Sequence, residues 1–180
     1  IKSHNLDIGN ISKISYSAFP SPRLQIKKIN LKSRDNSLIL NSANLSIPIN
    51  PLGLYKFQEI KIKKIFIKNS NLSLEVKNFK KFLQYLKNID NKIFIKKSNF
   101  VVFSENKKLI VLNDVIFNNQ NKKNFVFDGL ILKKKISINF FEYKEKNRLT
   151  INLPQIAFKL SALFNEGSNI ESSSGEIMAT

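Results

Sequence analysis

The sequence predicts a mainly β fold: an elongated, curved antiparallel sheet carrying one amphipathic helix. Apolar and polar residues alternate with period two along most of the 180 residues, the pattern of strands with one buried face. A single stretch, Phe79 to Ile89, changes to the helical period. Gly and Pro number only 5 each, so the breaks between apolar runs, rich in Asn, Lys and Ser, read as tight turns rather than linkers.

The first strand is introduced by "SYSAFPSPRLQIKKINLKS" (Ser15 to Ser33). Pro20 and Pro22 fix their own φ near about −65° and push Phe19 and Ser21 toward extended conformations, which predicts a rigid lead-in at a sheet edge. Leu24 and Ile26 then lead into Ile29 and Leu31. Leu38, Leu40, Leu45, Ile47 and Ile49 form a returning strand, closed by Pro48 and Pro51. "NPLGLYKF" predicts a short helical turn, with Asn50 as cap and Pro51 at the first helical position. Ile60 and Ile62 lead into Ile65 and Ile67, and Leu72, Leu74 and Val76 follow in alternation.

The helix places Phe79, Phe82, Leu83, Leu86 and Ile89 on one face, with Lys80, Lys81, Gln84 and Lys87 opposite and Asn78 as N-cap. Beyond it come Ile93 and Ile95, Phe100 to Phe103, Leu109 to Leu112, Val115 and Phe117, and Phe125 and Phe127. Leu130 and Leu132, then Ile136 to Phe140, then Leu149 to Leu153 complete the ladder.

Two repeats run through the first half. Ile26 to Lys32 matches Ile62 to Lys68, an offset of 62 − 26 = 36 residues, and Ile65 to Asn71 matches Ile93 to Asn99, an offset of 93 − 65 = 28. The unequal offsets predict a meander of similar strands rather than a solenoid with identical rungs. The odd spacing of Ile26 and Ile29, and of Ile62 and Ile65, turns the second of each pair to the wrong face of a regular strand. Bulges at Lys27-Lys28 and Lys63-Lys64 would restore one apolar face and bend the sheet.

Composition removes whole classes of chemistry. There is no Cys and a single His, His4, which excludes disulfides, thiolate metal sites and His-based triads. No phosphate-binding loop, dinucleotide fingerprint or nucleophile elbow occurs. Glu142 and Glu145 are the closest carboxylate pair, in a polar turn. The reading is non-enzymatic, with no catalytic residue, metal or cofactor.

The net charge is +17, and all of its cations but Arg23, Arg34 and Arg148 are Lys. Lys, Asn and Ile share A/T-rich codons, so genome composition accounts for much of the charge, and the lysines are expected to spread over an outer face. Attraction to anionic lipid comes next, and nucleic-acid binding third, since Arg, the base-reading cation, is scarce. The longest apolar runs, "FVVF" and "LIVL", are far shorter than the ~18–20 residues of a membrane helix. A first residue of Ile and a final "SSSGEIMAT" that reads as an interrupted strand suggest a segment of a longer protein.

"YSAFPSPRLQIKKINLKS", followed by "LSIPINPLGLYKFQEIKIKKIFIKNSNLSLEV", resembles the amino-terminal region of AsmA-like proteins. Phe19, Pro20, Pro22, Arg23 and Leu24 match the family's aromatic-Pro-x-Pro-Arg-Leu stretch, and Pro51, Leu52 and Gly53 its middle. Ile62 to Leu74 fits its strand pair, and Phe79 to Ile89 its helix. The resemblance covers about residues 8–90 of a single segment 1–180, the strand ladder continuing over 91–180; the family's Asn-Trp is missing.

AsmA-like proteins are similar to bridge-like lipid-transfer proteins. The resemblance therefore implies a taco-shaped periplasmic sheet of a Gram-negative bacterium, anchored in the inner membrane by a helix outside this segment. It implies phospholipid acyl chains as partners, carried along a hydrophobic groove in outer-membrane assembly and homeostasis. The candidate groove residues are Ile26, Ile29, Leu31, Ile62, Ile65, Ile67, Leu72 and Leu74. The alternatives are a structural or adhesive β-rich surface segment without ligand, and a nucleic-acid-binding module.

Overall fold

A computed structural model describes residues 6–33, 38–50, 62–121, 123–143, 146–165 and 175–180. The described residues are mainly β and join in one 13-stranded sheet. Its strands are β1 (Leu6–Ile8), β2 (Lys13–Ser17), β3 (Arg23–Ser33), β4 (Leu38–Pro48), β5 (Lys64–Lys68), β6 (Asn71–Glu75) and β7 (Lys92–Ser104). β8 (Lys107–Asn121), β9 (Asn124–Ile131), β10 (Lys134–Tyr143), β11 (Lys146–Leu153), β12 (Phe158–Asn165) and β13 (Gly175–Ala179) follow. The helix α1 (Phe79–Asn88) enters from a 3-10 turn at Val76–Asn78.

From β7 onward each strand pairs antiparallel with the next, as the alternating runs predict. Before β7 two strands are interrupted. β1 and β2 pair with the two ends of β3, and β5 and β6 lie end to end between β4 and β7. β5 and β6 are both parallel to β7, so the sheet is mixed. The physical reason is α1: parallel neighbours need a crossover of a dozen residues or more, and the helix supplies it. The 28-residue repeat is the register of this parallel pairing, with Ile65 beside Ile93, Ile67 beside Ile95 and Asn71 beside Asn99. Phe66 consequently stacks on Phe94, with ring centroids 5.1 Å apart.

A line of bulges crosses the sheet. Left-handed backbone occurs at Lys28 (φ 52°), Ser42 (55°), Asn69 (52°), Lys97 (52°) and Asp114 (50°), in five neighbouring lanes. In each lane the inward-facing residues step by three across this point: Ile26 to Ile29, Leu40 to Ala43, Ile67 to Ser70, Ile95 to Ser98 and Leu112 to Val115. The extra residue resets the facing, so in these five lanes the same side of the strand keeps facing the core. On β9 the line meets Gly129, where an added Cβ would sit 3.1 Å from the Asn113 carbonyl oxygen.

The bulge expected at Lys27-Lys28 is present, between the Ile26 and Ile29 pairings. The one expected at Lys63-Lys64 is not: β5 begins at Lys64 and pairs with β7 without a shift. The break lies one step later, at Lys68-Asn69, because the bulges align across strands and Ile65, not Ile62, is the first residue to pack inward. The proline stretch also departs from expectation. Residues 18–22 form the β2–β3 hairpin loop, with a cis Phe19–Pro20 bond, rather than an extended lead-in, because Lys13–Ser17 pairs back onto β3. The helical turn expected over "NPLGLYKF" lies, Asn50 apart, outside the described residues.

The core lies on the helix side of the sheet. Phe82, Leu83, Leu86 and Ile89 are buried as the helical period predicts, while Phe79 stays 39 % exposed at the helix start. Asn78 holds the N-cap position but its side chain makes no capping bond; its amide donates instead to Glu75 Oε2 at 3.3 Å. A run of rings, Phe82–Phe100–Phe127–Phe117, ties α1 to β7, β9 and β8 at centroid distances of 6.2, 6.0 and 4.4 Å. Such pairs add about 0.5–1.5 kcal/mol each beyond the area they bury.

Candidate functional site: an apolar cavity under the helix

The helix does not close fully on the sheet. Between α1 and strands β3 to β9 lies a cavity of about 170 Å³, lined among the described residues by fourteen side chains of which none is charged. Sheet residues form most of it: Leu31, Leu38, Leu40 and Leu45, Ile65, Ile67, Leu72, Ile93 and Ile95, with Phe117 and Phe127. The helix contributes Phe82, Tyr85 and Leu86. Leu31, Leu38, Leu45, Ile65 and Ile93 are only half-buried, so the cavity approaches the surface on that side.

The lining follows from the alternation and the bulge line. Leu45, Ile67 and Ile95 are consecutive cross-strand neighbours on the inner face, as are Ile65 and Ile93. Past the bulges, Leu40 pairs with Leu31 and Leu72. Branched aliphatics from both sides of the line therefore meet under one helix. Among the described residues Tyr85 is the only lining residue with a polar side-chain atom. Burial raises its phenol pKa above the usual 10.0, so the hydroxyl stays neutral at ordinary pH.

Of the eight residues predicted to form a groove, Leu31, Ile65, Ile67 and Leu72 line this cavity. Ile29 and Leu74 are buried in the surrounding core, and Ile26 packs against its margin. Ile62 is 38 % exposed and lies apart. It precedes β5, before the strand has begun to pack. Comparison with family models, with curated proteins and with solved structures gives no match.

Several lining residues escape the sequence reading. The 28-residue repeat carries the signal for Ile93 and Ile95, which stand where Ile65 and Ile67 stand one repeat earlier. Tyr85 follows Phe82 by three, within the helical stripe, but its hydroxyl disguises it. Leu38, Leu40, Leu45, Phe117 and Phe127 carry only the general alternation.

One end of the helix is pinned by charge. Lys87 Nζ lies 3.2 Å from Asn147 Oδ1, 3.5 Å from Glu142 Oε2 and 5.5 Å from the centroid of the Phe140 ring. Lys123 Nζ reaches Glu142 Oε1 at 3.3 Å. Burial pushes the Glu142 carboxyl pKa up, but the hydrogen bonds and charges of Lys123 and Lys87 outweigh this and hold it below the usual 4.5. This arrangement positions the helix over the cavity. Among the described residues no group of three or more His, Cys, Asp or Glu side chains is placed to hold a metal, and no helix is long and apolar enough to cross a membrane.

Proposed function

We propose that this chain is a non-enzymatic part of a cell-envelope protein that holds the acyl portion of a phospholipid beneath its helix. The role would be phospholipid transport and outer-membrane homeostasis, in a periplasmic, AsmA-like protein tethered to the inner membrane by another part of the chain. The observation that carries this reading is the apolar cavity of about 170 Å³ beneath the helix. A void of about 150 Å³ lined by Leu, Ile and Phe stays dry and accepts benzene, so this one has room for a short length of hydrocarbon. Acyl chains are non-directional ligands, and a lining of branched aliphatics with one neutral hydroxyl suits them.

A second reading, a structural β-rich segment without ligand, draws support from Ile29 and Leu74, which are covered by protein rather than open to a guest. The two readings separate in the full-length protein carrying a photo-crosslinkable phospholipid. Ile65→Asp, which places a carboxylate in the cavity wall, should abolish crosslinking while the protein still accumulates, because hydrocarbon cannot replace the water around an ion. Lys64→Asp, one residue away on the exposed face, should leave crosslinking unchanged. Equal crosslinking by both variants, or failure of the parent protein to crosslink, would reject lipid binding.

A further inference from the structure

A second cavity, rich in cations, is lined by residues of β2 to β5 and meets the first at Leu45. It measures about 550 Å³, and among the described residues its lining includes Lys13, Arg23, Lys27, Lys28 and Lys68 but no carboxylate. The geometry points to a binding site for a phosphate group, in the size range of a phosphorylated small molecule or a lipid headgroup.

The bulge line builds this site. Lys27 and Lys28 occupy the bulge of β3, and Lys68 stands beside the break between β5 and β6. Lys13 is the cross-strand partner of Lys27, and Asn44 that of Lys68, so these side chains share one face. Asn44 holds the bulge open by accepting the Lys28 backbone N–H at 3.2 Å. Arg23 is set in place by Ser21, donating from Nη2 to Oγ at 2.9 Å and from Nε to the carbonyl oxygen at 3.2 Å. Its three other N–H groups remain to serve an anion.

None of the five cations forms an ion pair with a carboxylate among the described residues. Like charges directly opposed across strands repel, as Lys13 and Lys27 are, and as Lys64–Lys92 and Lys68–Lys96 are in the adjacent lanes. A bound dianion would relieve that repulsion and gain charge-assisted hydrogen bonds. The proposal is tested apart from the acyl-chain reading, because the two cavities have only Leu45 in common among the described residues and their tests share no variant.

The test titrates the full chain with glycerol 3-phosphate and with inorganic phosphate. In parallel it measures co-sedimentation with vesicles of phosphatidylglycerol and of phosphatidylcholine. Two charge-matched triple variants are compared: Lys13→Gln/Lys27→Gln/Lys68→Gln at the cavity, and Lys107→Gln/Lys134→Gln/Lys159→Gln on remote exposed positions. Saturable binding that weakens about tenfold or more in the first and less than about twofold in the second supports the site. If phosphatidylglycerol vesicles show the same discrimination and phosphatidylcholine vesicles do not bind, the phosphate comes from a lipid headgroup. If only the free phosphates show it, the ligand is a soluble phosphate compound.

Equal weakening by both triples, absence of saturable binding, or tighter binding of a single-stranded oligonucleotide that both triples impair alike would overturn the proposal in favour of a diffuse basic surface. Should the first triple fail to fold, Lys68→Gln alone is read against Lys134→Gln alone. A loss confined to Lys68→Gln supports the site, and equal effects overturn it.

Discussion

Ser70 Oγ donates a hydrogen bond of 2.8 Å to Ser98 Oγ, joining two residues that hold the same place in a 28-residue repeat. Ser98 Oγ also accepts the Ser70 backbone N–H at 3.2 Å and donates to the Lys96 carbonyl at 3.1 Å. Both residues are buried, at the point where β5 gives way to β6 and where β7 bulges. The bond clamps two bulges against each other inside the sheet.

Ser98→Ala should therefore destabilise the fold by about 1–3 kcal/mol, because it leaves the buried Ser70 N–H without its acceptor. Ser70→Ala, which removes only the hydroxyl, should cost less. The double variant should cost less than the sum of the two singles, as the shared bond is lost only once. Urea unfolding of the four proteins checks this.

The left-handed positions predict a sign reversal between neighbours. Lys97 adopts φ 52°, a conformation that opposes a Cβ by about 1–2 kcal/mol, so Lys97→Gly should be neutral or stabilising by up to about 1 kcal/mol. Lys96 is regular strand paired with Lys68, and Lys96→Gly should destabilise by a similar amount. Thermal midpoints of the two variants should move in opposite directions or, at the least, differ clearly.

Phe82→Ala and Leu86→Ala should each cost on the order of 2–5 kcal/mol, since both side chains are buried between α1 and the sheet. Phe79→Ala, at a position that remains well exposed, should cost under about 1 kcal/mol. Equal losses at all three positions would contradict the helix orientation.

Filling the cavity should separate stability from binding. Ile65→Phe directs added volume toward the void of about 170 Å³, so the unfolding free energy should change by less than about 1.5 kcal/mol. Uptake of a small apolar probe such as benzene, followed by NMR shifts of the lining methyl groups, should be lost.

The Glu142 cluster gives a pH dependence of definite sign. A carboxyl whose pKa is lower in the folded state than the usual 4.5 stabilises the fold above that value. The contribution is lost as pH falls through the folded-state pKa. Glu142→Gln should therefore be less stable than the parent near pH about 7, and the difference should shrink toward zero at a pH below the folded-state value. Denaturant curves at a series of pH values test it.

The mainly β class, the helix Phe79–Asn88 and the bulge at Lys27-Lys28 could be read from the sequence, because each leaves a period or a break in a period. The parallel pairing left its mark too, in the 28-residue repeat, but a match between segments does not say whether they pair directly or stand apart in a meander. The line of bulges was harder to see. Its left-handed residues are Lys, Ser, Asn and Asp rather than Gly, and what selects them is the alignment of neighbouring strands. β12 was missed although Phe158, Leu160, Ala162 and Phe164 alternate, because polar residues around "GSNIESSS" break the ladder beyond it. Eleven of the cavity's fourteen described lining residues were legible as apolar strand residues, but only Leu31, Ile65, Ile67 and Leu72 as a groove. A void is a property of how the helix seats, and no residue type marks it.

The bulge line also governs which changes of length this chain can accept. Deleting Lys28 would do more than shorten β3 by one residue: it would turn Ile29 and Leu31 toward the basic face and bring Asn30 and Lys32 against the core. The partner strand β4, still stepping by three at Ser42, would then meet β3 out of phase. A one-residue insertion or deletion within these strands is thus disallowed singly and acceptable only when adjacent lanes change together. Homologues of this chain should differ in length at the hairpin tips, while the residue count from Ile26 to Ile29, and from Ile95 to Ser98, stays constant.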